Sequence, residues 1–131
     1  MTQRRFNLGL DIDGTITAHP RHFAQLALAC RRDSGKIHVV SSRSPEGRRE
    51  TLQELRQLGI CFDALWLLPD VLAAQQRCPY SRLNWYQRFV WQKVEYALEN
   101  RLDLFYDDDP VAIDLFGQFA PDIVVNRDWP K

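Results

Sequence analysis

An α/β fold built on a parallel sheet is the class predicted for this 131-residue chain, and two features predict it. Five short apolar runs alternate with segments of helical period, the signature of successive strand–helix–strand units. Three of those runs also end in polar clusters: Asp11 and Asp13, then Ser41, Ser42 and Arg43, then Asp107, Asp108 and Asp109. In open parallel sheets, ligands bind beyond the carboxyl ends of the strands, so chemistry is expected along that rim.

Phe6 to Leu10 reads as the first strand, stopping at Asp11-Ile12-Asp13-Gly14-Thr15. His22 to Arg32 places Phe23, Leu26, Ala27 and Cys30 at helical spacing, and Asp33-Ser34-Gly35 ends that helix. Ile37 to Val40 is a second strand. Ser44-Pro45-Glu46 opens the next helix, with proline in its first turn. Leu52, Leu55 and Leu58 form its buried stripe and Gly59 its stop. Phe62 to Leu68 is a third strand, closed by Pro69-Asp70. Val71 to Val90 holds Pro79, several aromatics and no clean period, which predicts a short helix followed by irregular chain. Lys93 to Asn100 is predicted helical and Leu102 to Tyr106 a fourth strand. Val111 to Phe116 follows as a helical turn or two, and Ile123 to Val125 as a fifth strand.

The length fits a single domain spanning residues 1–131 with a sizeable core. Apolar residues make up 45% and charged residues 26%, ordinary proportions for a globular protein. Net charge is zero, so no global field draws the chain to nucleic acid or anionic lipid, and neither is an expected partner. No apolar run approaches the ~20 residues that span a bilayer. Met1 to Arg5 leads into a strand without the apolar core of a signal peptide. Cys30, Cys61 and Cys78 are odd in number and widely spaced, suiting neither a disulfide framework nor a zinc site. A cytoplasmic setting is the expectation, with the cysteines inert.

Taken in order, the polar strand ends resemble the motifs of the haloacid dehalogenase-like hydrolase superfamily, most of whose members are phosphatases. Asp11-Ile12-Asp13-Gly14-Thr15 matches its first motif residue for residue. Val39-Val40-Ser41 is similar to the second, Lys93 to the third and Asp107-Asp108 to the fourth. The resemblance covers nearly the whole chain. It implies a three-layer, Rossmann-like fold with a five-stranded parallel sheet in the order 5-4-1-2-3 and no cap domain. It also implies a Mg²⁺-dependent phosphomonoester hydrolase.

The implied roles have physical reasons. A phosphomonoester is an anion, and a divalent metal removes the repulsion that an attacking carboxylate would meet. Mg²⁺ prefers hard oxygen ligands. By resemblance, Asp11 supplies one carboxylate, Asp13 its backbone carbonyl and Asp108 a second carboxylate; Asp107 either ligates through water or holds Asp108. Asp11 then attacks phosphorus to give an aspartyl-phosphate. Asp13 protonates the leaving oxygen and later deprotonates water, help worth roughly 10²–10⁴-fold. Ser41 and Lys93 bind the transferring oxygens, aided by amides near Gly14 and Thr15. An acid at position 13 points to phosphate rather than to carbon–halogen or carbon–phosphorus chemistry. A site with no lid takes a large substrate or borrows a neighbouring copy as a cover.

The remaining candidates have ordinary explanations beside the functional ones. Trp85, Tyr86, Phe89 and Trp91 fit core packing or a subunit contact better than base stacking. Arg43, Arg48 and Arg49 suit either a charged helix face or anion steering. His19 and His22 could line the entrance. Asp109 before Pro110 reads as a helix cap. Two alternatives accompany the hydrolase: a phosphate- or protein-binding module that retains the site, and a nucleic-acid end-processing phosphatase.

Overall fold

The computed structural model describes residues 4–127. Met1, Thr2 and Gln3, part of the segment expected to lead into the first strand, lie outside the described residues, as do residues 128–131. The strands are β1 (Asn7–Leu10), β2 (Lys36–Ser41), β3 (Ala64–Leu67), β4 (Leu104–Tyr106) and β5 (Val124–Asn126). The helices are α1 (Pro20–Arg32), α2 (Arg48–Gln57), α3 (Val71–Arg77), α4 (Trp85–Glu99) and α5 (Pro110–Phe119). All strand pairs are parallel, in the order β3-β2-β1-β4-β5. This is the expected order read from the other edge, an α/β Rossmann-like fold.

The inner strands β1 and β2 are largely buried, their side chains alternating between two cores, while the edge strand β5 leaves Val124 exposed. Leu8, Leu10, Ile37 and Val39 pack with Phe23 and Ala27 of α1 and Leu55 of α2. Val40 and Phe105 face the other way, onto Val90 and Val94 of α4 and Leu115 and Phe116 of α5. Gly9 lies on that second face, where a Cβ would come within 2.7 Å of Leu102 and 2.9 Å of Phe105.

The helix around Lys93 departs from expectation. Lys93 does not open a helix; it sits in the middle of α4, which begins at Trp85. A capping box starts α4: Asn84 accepts from the Gln87 amide at 2.8 Å, and the Gln87 side chain accepts from the Asn84 amide at 2.9 Å. The aromatics after Asn84 blur the polar–apolar contrast, because the helix is enclosed along much of its length. α5 is also longer than the predicted turn or two, continuing to Phe119.

Between β1 and β2 lie only a wide turn and α1. Between β2 and α4 the inserted piece is the short α3 with its loops, and no further domain occurs among the described residues. No helix among them is long and apolar enough to cross a membrane.

Candidate functional site

β1 is central, and chain order reverses beside it: β2 and β3 follow on one side, β4 and β5 on the other. The ends of β1 and β4 therefore meet at the switch point of the sheet. Asp11 extends the pairing there, its amide donating to the Tyr106 carbonyl at 3.0 Å. The chain then makes a wide turn, with the Thr17 amide reaching the Ile12 carbonyl at 3.0 Å. Gly14 takes φ +80° in this turn, and a Cβ on it would collide with the Asp108 carboxylate. Glycine is needed twice here, for the backbone and for the approach of Asp108.

Lys93 crosses from α4 to the strand ends. Its Nζ donates to Asp11 Oδ1 at 3.0 Å and Asp107 Oδ2 at 2.8 Å, all three side chains being nearly sealed from water. Thr15 donates to the other Asp11 oxygen at 3.3 Å, and the Asp109 amide donates to Asp107 Oδ1 at 2.9 Å. Burial alone would lower the Lys93 pKa, but Asp11 and Asp107 overcome it and hold the ammonium above its usual range. Burial raises the Asp11 carboxyl to about 7; Lys93 opposes the rise and Asp107 and Asp108 add to it. Burial raises Asp107 as well, against the pull of Lys93. One cation cannot neutralise two buried carboxylates with a third beside them. Asp11, Asp107 and Asp108 each offer an oxygen within 4.8 Å of the others, a hard donor set with surplus negative charge.

Asp13 turns elsewhere. Its carboxylate takes a two-pronged contact from Arg43, at 2.9 Å from Nε and 2.8 Å from Nη2. Arg43 also donates to Glu54 at 2.8 Å. The Arg43 hydrogen bonds hold the Asp13 carboxyl below its ordinary value. Asp11, Asp13, Lys93, Asp107 and Asp108 all line one cavity of about 300 Å³, together with Ser42, Tyr86, Asp109 and Pro110.

No family model matches this chain, and no curated protein matches it. Among solved structures, a chain from the structure of the Pnkp1/Rnl/Hen1 RNA repair complex aligns with a TM-score of 0.65 at 14% identity. The alignment covers 98% of this chain and 44% of that one, so this chain corresponds to less than half of it. At this identity the likeness is one of fold.

The fold thus brings Asp11, Asp13, Lys93, Asp107 and Asp108 to one cavity. Ser41 is fully buried, its Oγ accepting from the Arg43 amide at 3.1 Å, and Ser42 lines the cavity in its place. Thr15 is fully buried, bound to Asp11. Asp109 caps α5, accepting from the Val111 amide at 2.9 Å. His19 precedes α1, its carbonyl accepting from the Phe23 amide at 3.2 Å, His22 packs on Phe23, and neither lines the cavity. Arg48 donates to the Leu65 carbonyl at 3.0 Å, while Arg49 is exposed. Cys78 is buried, and Cys30 and Cys61 are half-buried free thiols.

The four aromatics separate. Trp85 is exposed, Phe89 is half-buried against the core beneath α4, and Trp91 is buried beside Tyr80. Tyr86 enters the cavity, its hydroxyl donating to Asp109 at 2.6 Å. Burial and this bond to Asp109 push the phenol up to about 12. The seven-residue spacing from Tyr86 to Lys93 marks a shared helix face, a signal visible in the sequence once α4 is started at Trp85.

Proposed function

We propose that this chain is a Mg²⁺-dependent phosphomonoester hydrolase of the haloacid dehalogenase-like type. The observation that carries the reading is the convergence of Asp11, Asp107 and Asp108 around Lys93 at the switch point of the sheet. Asp11 and Asp108, with the Asp13 carbonyl, would hold the ion, and Asp107 supports them. When bound, Mg²⁺ would offset the cluster's surplus charge and draw in the phosphate.

Asp11 attacks phosphorus, the ester oxygen leaves, and an aspartyl-phosphate forms on Asp11. Lys93 steadies both the nucleophile and the transferring oxygens. Ser41, Gly14 and Thr15 belong to the same phosphate cradle, Ser41 and Thr15 shaping it from behind and Ser42 adding a hydroxyl at the cavity wall. Asp13 exchanges Arg43 for the leaving oxygen, delivers its proton, and then takes one from the attacking water. Glu54 remains to partner Arg43 while Asp13 is away.

Hydrolysis of p-nitrophenyl phosphate, with and without Mg²⁺, tests the reading. Metal-dependent turnover that disappears in Asp11→Asn is expected. Folded protein with no turnover under several divalent metals would leave a phosphate- or protein-binding module instead. The fold likeness to an RNA repair component favours a second reading, an RNA-end phosphatase. Zero net charge weighs against it, since backbone binding relies on basic surface. A 3′-phosphorylated oligonucleotide outcompeting p-nitrophenyl phosphate would decide for it.

A further inference from the structure

A second groove, of about 460 Å³, adjoins the acidic cavity, and Ser42 lines both. Its apolar wall comes from Pro45 ahead of α2, Leu68 and Pro69 after β3, Val71 at the start of α3, and Phe89 on α4. Phe89 lies four residues before Lys93, so the groove and the lysine share one side of α4. Glu46 and Asp70, both exposed, supply its charge, and no described Lys, Arg or His lines it.

We propose that this groove receives the alcohol portion of the substrate, and that this portion is an apolar ring with no second negative charge. The inference rests on the hydrolase reading above and names its substrate class. The groove shares Ser42 with the cavity that Asp11 lines, so an ester held at Asp11 has this apolar space next to it. Apolar walls with a few polar groups select apolar ligands, and an aromatic wall favours a ring. Two carboxylates without a cation repel a second phosphate or a carboxylate on the leaving group and favour a positive one.

Three esters of phenols with similar leaving ability supply the test: phenyl phosphate, 4-(aminomethyl)phenyl phosphate and 4-carboxyphenyl phosphate, with glycerol phosphate as the ringless reference. The expected order of kcat/KM has 4-carboxyphenyl phosphate at least about tenfold below the other two aryl esters. Glu46→Gln with Asp70→Asn narrows that gap; Asp70→Asn keeps an oxygen for the Leu72 amide that Asp70 now caps at 2.9 Å. Phe89→Leu keeps the apolar volume and lowers the phenyl-over-glycerol preference about threefold. Equal rates for all three aryl esters, or a gap unmoved by the double substitution, overturn this inference while the hydrolase stands. No turnover of any ester by folded protein with Mg²⁺ overturns both.

Discussion

Asp13 and Arg43 show how one contact sets the state of a side chain. The guanidinium grips both oxygens of Asp13, so the carboxyl holds its proton less tightly than a free aspartic acid. A general acid must be protonated, and this contact works against that until substrate displaces it. In Arg43→Gln the Asp13 pKa rises, and the alkaline limb of kcat/KM for phenyl phosphate moves to higher pH. An active variant with an unmoved limb would separate Asp13 from the proton transfer. His38 gives a second prediction, in stability. It is 7% exposed, with Nδ1 2.8 Å from the Tyr96 hydroxyl and Nε2 3.1 Å from Asn7 Oδ1. The neutral ring satisfies both, donating from Nε2 and accepting at Nδ1. Burial, with Lys36 adding to it and Asp63 opposing, holds its pKa below 6.5. Above pH 6.5 both folded and unfolded chains carry a neutral ring. Below it the unfolded chain binds a proton that the folded chain refuses, so this stabilisation is lost as pH falls through the folded value. Urea unfolding of wild type and His38→Gln at pH 7.5, 6.5 and 5.5 isolates the effect, because Asp11 titrates in the opposite sense. Parallel pH trends in the two proteins would remove His38 as the cause.

At the scale of elements, α4 links the acidic cavity to the apolar groove. It delivers Tyr86, Phe89 and Lys93 to the same rim, and its start depends on Asn84. Asn84→Ala removes one half of the capping box and costs about 1 kcal/mol in chemical denaturation. A cost near zero would mean that packing of Val90 and Val94 holds the helix start without the cap. The spacings of α1 and α2 were readable because each shows one face to a core and the other to water. α4 was not, since Gln92, Lys93 and Val94 are all buried and no polar stripe marks its register. Reading Lys93 as a helix opener followed from that loss of contrast. The capping residues Asn84 and Gln87 were the remaining signal.

For the whole molecule, the sheet order places acids from two strand ends, ninety-six residues apart in sequence for Asp11 and Asp107, around one lysine. On the proposed reading, Mg²⁺ binds the folded chain and not the unfolded one. At about 100 times its dissociation constant it adds about 2.7 kcal/mol of stability. A rise in Tm with Mg²⁺ that is absent in Asp108→Asn checks this. An equal rise in both proteins would move the ion elsewhere. The sequence by itself determined the strand–helix alternation, the parallel sheet and the acids and lysine as candidates, because apolar period and strand-end chemistry are local. Only the tertiary structure decided that Ser42 rather than Ser41 reaches the cavity, that Arg43 holds Asp13, and that Tyr86 and the Phe89 groove border the acids. These depend on which way a side chain turns once the sheet and α4 have packed, and no local spacing carries that information.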